Sequence, residues 1–163
     1  MIVLLYAVVV LGGCAPKVTR EAEPEVATGW VPSTIFTTDP GHRAFEEVYQ
    51  MARVDTNLTA MIRGLCNGVD VLVFYGQWCS DSKHEVPRFL RLVEESGWEA
   101  SRVRYYALDR SKKSHDGLTD KYSIEKVPTF IFFRNGDEVG RIVEVSRTTL
   151  EGDIVQILAA KPH

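Results

Sequence analysis

The sequence predicts a single α/β domain, and three observations carry that reading. Segments with helical apolar spacing alternate with short apolar runs in the order helix, strand, helix, strand, helix, strand, strand, helix. The run Val69–Tyr75 (VDVLVFY) is almost wholly β-branched, aliphatic or aromatic, as a strand covered on both faces requires. Two further strand-like segments, Pro128–Phe133 and Glu138–Val145, flank Asn135-Gly136-Asp137, a turn signal for a β-hairpin. With 163 residues, 45% of them hydrophobic and 25% charged, the chain can bury a real core beneath a solvated surface.

The elements follow in order. After Asp39-Pro40-Gly41, apolar residues recur at Phe45, Val48, Tyr49 and Ala52, the i, i+3, i+4, i+7 spacing of one helix face. Leu58, Met61, Ile62 and Leu65 repeat that spacing behind Asp55, a predicted N-cap. Beyond the strand Val69–Tyr75, a helix is expected over about Asp81 to Ser96, with Val86, Phe89, Leu90 and Val93 on one side. Val103–Leu108 is the next strand and Leu118–Tyr122 a short helix. Pro128–Phe133 and Glu138–Val145 form the hairpin, whose Phe130, Phe132 and Phe133 are core residues. The last helix runs from Thr148 to about Ala160 and buries Leu150, Ile154, Ile157 and Leu158.

Charge and cysteine usage exclude several functions. A net charge of −3 gives no electrostatic footprint for nucleic acid. Three cysteines are too few for a disulfide scaffold, and their spacing offers no zinc site. His84 beside Lys83 belongs to a solvated helix face, and a Cys79–His84 metal pair lacks a third ligand. His42, His115 and His163 share no spacing and read as surface residues. Arg110, Lys112 and Lys113 read as a solvated loop, and the sequon Asn57-Leu58-Thr59 falls inside a predicted helix. No cofactor or metal is expected.

The N-terminus reads as an address. Residues 1–11 are apolar throughout but too short for a bilayer, which takes about 20 residues, so they fit the apolar part of a secretory signal. The alternative is a buried N-terminal strand. Leu11-Gly12-Gly13-Cys14 resembles the bacterial lipobox, which implies removal of 1–13 and lipidation of Cys14, although no Lys or Arg precedes the apolar run. Residues 15–29 hold two prolines, charges and small residues without apolar period, the composition of a tether. The expected division is a signal over 1–13, lipidated Cys14 and tether over 14–38, and the folded domain over 39–163. That places the protein in the cell envelope, on the periplasmic side or outer surface, held to the membrane by its lipid.

Chemistry is expected at Cys79, where a buried strand ends and a helix begins. A helix N-terminus carries unsatisfied N–H groups and about half a positive charge, which favours thiolate over thiol. The segment Tyr75-Gly76-Gln77-Trp78-Cys79-Ser80-Asp81-Ser82-Lys83 resembles the thioredoxin active site, WCxxC followed by Lys, with Ser82 in place of the second cysteine. Pro87 matches the proline of that family's active-site helix, Val127-Pro128-Thr129 its cis-proline loop, and Phe132-Phe133-Arg134-Asn135-Gly136 the strand and turn beyond. Asp81 is similar to the WCxDC subgroup. The resemblance covers most of residues 69–160 and implies a thioredoxin-like fold, a central mixed sheet flanked by helices.

Three departures bear on function. Ser82 cannot form a disulfide with Cys79. Val73 stands where the family usually has a buried Asp that helps deprotonate the second cysteine, and Glu144 stands near a small residue of its substrate groove. Cys66 does not replace the lost thiol, because a seven-residue strand at ~3.3 Å per residue separates it from Cys79 by roughly 20 Å, whereas a disulfide needs Cα atoms within about 7 Å. One thiol supports disulfide isomerisation or removal of thiol adducts, with release by an outside thiol. In that reading Ser82 donates a hydrogen bond to the Cys79 thiolate, Trp78 shields the sulfur, and Val127, Pro128 and Thr129 receive the substrate. Asp81 disfavours a second anion nearby while Lys83 favours it. The expected partners are exported proteins or small-molecule thiols and disulfides, and the protein is expected to be a monomer. The alternative is a redox-inactive module that docks partner proteins; a peroxidase lacks an evident Thr or Arg for its peroxide.

Overall fold

A computed structural model describes residues 26–160. The expected signal and Cys14 lie outside them. Five strands form one mixed sheet: β1 (Gly29–Val31), β2 (Val69–Tyr75), β3 (Val103–Ala107), β4 (Thr129–Arg134) and β5 (Asp137–Val143), in the order β1-β3-β2-β4-β5. β2 and β3 run parallel, and the other neighbours are antiparallel. The helices are α1 (Ile35–Thr38), α2 (Arg43–Met51), α3 (Thr56–Leu65), α4 (Ser80–Ser96), α5 (Leu118–Lys121) and α6 (Leu150–Ala159). A single turn of 3₁₀ helix at Pro40–His42 leads into α2.

The pleat of β2 divides the core into two faces. Val69, Val71, Val73 and Tyr75 meet Phe45, Ile62, Phe89, Leu150 and Ile154 in the larger cluster, under α2, α3, α4 and α6. Leu72 and Phe74 point the other way, to Tyr106, Leu108, Ile124, Val127 and Ile131, with Trp78 and Cys79 packed at the edge of this smaller cluster. Asn135 and Gly136 both have positive φ (56° and 89°), the geometry of a two-residue hairpin turn that matches the twist of β4 and β5. Asp55 caps α3 as expected, its carboxylate accepting from the Asn57 and Leu58 N–H groups. Pro87 lies buried inside α4.

Two expectations about the fold need correction. Residues 29–38, assigned to the tether, contribute β1 and α1, so the folded part begins at least ten residues before the expected boundary at 39. β1 pairs with β3 from Gly29–Ala107 to Val31–Tyr105, and Phe36 is fully buried with its ring 5.0 Å from both Tyr75 and Tyr105. Met61, placed on the buried face of α3, is 51% exposed; Ile62 carries that face.

Candidate functional site

Cys79 is the N-cap residue of α4, in extended conformation (φ −88°, ψ 128°), where β2 has just ended. A tight turn delivers it there, closed by its own N–H donating to the Gly76 carbonyl at 2.9 Å. Gly76 is required at this corner, because a Cβ would sit 2.8 Å from the Trp78 ring. The half-buried thiol donates to the Val127 carbonyl at 3.2 Å, and the peptide bond that follows, Val127–Pro128, is cis. Strand β4 begins immediately after, so the sheet presents the Val127-Pro128 loop to the first turn of α4. The structure therefore brings Cys79 and the loop together.

The remaining expected site residues occupy distinct places. Trp78 covers one side of the turn, its Nε1 donating to the Leu108 carbonyl at 2.9 Å while the Arg110 guanidinium lies 5.1 Å from its ring centroid. Asp81 and Lys83 are half-buried, and among the described residues neither enters an ion pair. Thr129 is buried and turned inward, its hydroxyl donating to the Lys126 carbonyl at 2.7 Å, so it closes the loop rather than lining its outer surface. Ser82 is fully buried, and its oxygen accepts the Gly76 N–H at 3.2 Å. Among the described residues no hydrogen bond joins Ser82 to Cys79, so the hydroxyl braces the turn instead of meeting the sulfur.

Glu144 follows β5 with positive φ (62°), and its backbone N–H donates to the Pro128 carbonyl at 2.7 Å. Its carboxylate pairs with Lys126 at 2.7 Å, which raises the Lys126 ammonium above the usual lysine range by hydrogen bonding and charge. Val73, in the position of the family's buried Asp, is an ordinary core residue paired with Tyr105 and Phe130. Cys66 is 6% exposed at the far end of β2, its Sγ 3.8 Å from the Arg63 carbonyl, and burial pushes its thiol up.

Sequence reasoning missed the groups behind the turn. His42, expected at the surface, is fully buried: its Nε2 bonds the Tyr75 hydroxyl at 2.9 Å and its Nδ1 the Asp39 carboxylate at 2.6 Å. The Tyr75 hydroxyl is pushed up, by burial first and by the Asp39 charge second. Gln77 is only 7% exposed and spans to two distant backbone groups, accepting from Ala27 N–H at 3.0 Å and donating to the Gly41 carbonyl at 2.7 Å. Gln77 stands directly before the Trp78-Cys79 pair, which was the available signal, but no apolar periodicity attaches to it or to His42.

This sheet order, a cysteine at the N-terminus of the helix after β2, and a cis-proline loop against its sulfur define a thioredoxin-fold protein. Comparisons with known proteins agree on the fold and family. The thioredoxin family model matches residues 50–157. The chain belongs to the thioredoxin family. It is similar to a thioredoxin-like protein of Acanthamoeba polyphaga mimivirus, 27% identical over 89 residues, which are 55% of this chain and 62% of that protein. A thioredoxin of Malassezia sympodialis is 27% identical over 88 residues, 54% of this chain and 80% of its own. The match to the mimivirus protein thus spans less than two thirds of its length. Among solved structures, a Pseudomonas aeruginosa protein of unknown function shares the fold at a TM-score of 0.57 and 14% identity, covering 74% of this chain and 85% of its own.

Proposed function

We propose that the protein carries out thiol–disulfide exchange through Cys79 alone, isomerising disulfides or removing thiol adducts. The observation that carries this reading is the Cys79 sulfur at the N-terminus of α4, against the Val127 carbonyl, with Ser82 in the position of a second thiol. The Cys79 thiolate attacks one sulfur of a substrate disulfide; that S–S bond breaks, a mixed disulfide to Cys79 forms, and the other sulfur leaves as thiolate. A second thiolate, from the substrate or from a small-molecule thiol such as glutathione, then attacks the mixed disulfide and releases Cys79 as thiolate. If the second thiol belongs to the substrate the net result is isomerisation. If it is glutathione, the adduct leaves as a new disulfide of that thiol. The half-buried sulfur beside the Val127-Pro128 loop is the group that meets the substrate disulfide and later leaves.

The resemblance of residues 11–14 to a lipobox supports a second part of the reading, in which Cys14 is lipidated and the domain works at a membrane surface in the cell envelope. Exported proteins and small-molecule disulfides are then the accessible substrates.

The test is to mix the full chain with glutathione disulfide and follow the mass of the protein. The expected result is a glutathione adduct mapped to Cys79 by peptide mass and counted apart from any on Cys14, reversed by free glutathione, absent from position 79 in Cys79→Ala and retained in Cys66→Ala. No adduct on Cys79 would overturn the exchange reading. It would leave the groove as a docking surface, the role that the Lys126–Glu144 pair beside the cis-proline loop favours.

A further inference from the structure

We propose that Gln77 is a positioning residue for Cys79, strapping the reactive turn from behind to the chain segment that precedes α2. The inference deepens the exchange reaction proposed above and rests on it.

Consecutive residues of the turn are fastened in opposite directions. On one side Trp78 bonds the Leu108 carbonyl at 2.9 Å. On the other, the Gln77 amide is buried and uses both ends, taking the Ala27 N–H at 3.0 Å and giving to the Gly41 carbonyl at 2.7 Å. Gly41 is fitted to that contact, since a Cβ there would lie 2.5 Å from Gln77 Nε2 and 2.9 Å from Asp39 Oδ2. Two residues earlier, the Tyr75 hydroxyl engages His42, which Asp39 holds in turn. Residues 27–42 therefore meet the turn at two points, through Ala27 and Gly41, and the end of β2 through His42, while Ser82 and the Gly76 carbonyl close the turn from within.

A buried amide that loses its partners is left with unsatisfied groups, so the bonded arrangement is strongly preferred. Cys79 lies two residues on, and its chemistry is sensitive to placement. Exchange needs the attacking, central and leaving sulfurs in line within the space bounded by the Val127-Pro128 loop. Alkylation by a small reagent needs only an accessible sulfur. A displacement of about 1 Å at a reacting group can cost up to about a hundredfold in rate. Loss of the Gln77 strap therefore slows exchange selectively.

The experiment uses the full chain as wild type, Gln77→Met, Ala27→Pro and the double variant. Gln77→Met keeps the length and removes both bonds; Ala27→Pro removes one N–H from the opposite end. The readouts are the rate of adduct formation with glutathione disulfide, the rate of Cys79 alkylation by iodoacetamide, and the midpoint of urea unfolding. Gln77→Met is expected to lower the exchange rate about tenfold while alkylation stays within about twofold. Ala27→Pro is expected to reproduce part of that loss, and the double variant to match Gln77→Met, because both changes act on one contact. Should Gln77→Met fail to fold, Ala27→Pro carries the same comparison. Equal exchange rates, or a parallel fall in exchange and alkylation, would overturn the positioning role. Absence of any adduct on the wild-type protein is a separate result: it overturns the exchange reaction itself.

Discussion

The two ends of β2 hold the two cysteines of the described residues, and their surroundings differ in every respect that decides thiol chemistry. Cys66 is the C-cap of α3, where carbonyls converge and the helix end is negative; its N–H donates to the Ile62 carbonyl and its sulfur is buried. Cys79 is the N-cap of α4, where N–H groups converge and the end is positive, and its sulfur is half-buried against the Val127 carbonyl. The same side chain is thus a core residue at one end of a strand and a candidate nucleophile at the other. Location at one or the other end of a helix and access to solvent distinguish the two sites; residue type does not.

The largest effect that separates the two ends is all-or-none. Replacing Cys79 with Ala removes the glutathione adduct from the folded domain, whereas Cys66→Ala leaves its rate within about twofold, since a buried thiol at a helix C-terminus is a poor nucleophile. Mass spectrometry of each variant after equal exposure reads both outcomes. An adduct on Cys66 in the folded protein would break the comparison.

The next effect concerns what holds the Cys79 end in place. Phe36 is fully buried, 5.5 Å from the Phe45 ring and 5.0 Å from Tyr75, so it ties the segment before α2 to the strand that delivers Cys79. Phe36→Ala is expected to lower unfolding free energy by about 3–5 kcal/mol, measured by urea denaturation. A loss below about 1 kcal/mol would show that this segment is dispensable and that the fold begins near residue 39 after all.

Here the limits of the sequence become physical. The alternation of helices and strands was legible because each long element repeats an apolar period, and Cys79 was legible because a buried strand runs straight into WC. β1 was not, since three residues carry no period and Gly29–Val31 becomes a strand only by pairing with β3. Gln77 and His42 are polar, and a polar residue is buried only where partners satisfy it. Those partners lie 50 and 36 positions away for Gln77 and 33 away for the Tyr75 contact of His42. Ser82 was legible as a missing thiol, but its acceptor role toward Gly76 depends on how the turn closes.

Ser82 gives the third test. Ser82→Ala leaves the Gly76 N–H buried without an acceptor, at an expected cost of about 1–3 kcal/mol in urea unfolding. Ser82→Cys, which restores a thiol at this place, is expected to let Cys79 release a bound adduct without added glutathione, read as spontaneous decay of the mixed disulfide. An adduct that persists in Ser82→Cys would show that the two side chains are not brought within bonding reach.

The smallest effect returns to Cys66 and concerns alkaline pH. Burial raises its thiol in the folded state, so below the unfolded value of about 8.5 both states hold the proton and stability does not depend on it. Above that value the unfolded chain releases the proton while the folded chain keeps it. The unfolded state then binds fewer protons, and stability falls as pH rises toward the folded value. Tyr75 and Tyr105, both pushed up by burial, add the same sign from about pH 10 in every variant. The stability of Cys66→Ala should therefore differ from wild type by a constant offset below about pH 8 and decline less steeply between about pH 8.5 and 10. Urea unfolding at several pH values measures that difference. Parallel curves across the whole range would mean that Cys66 ionises as freely in the folded protein as in the unfolded one, and the contrast between the two ends of β2 would then rest on access alone.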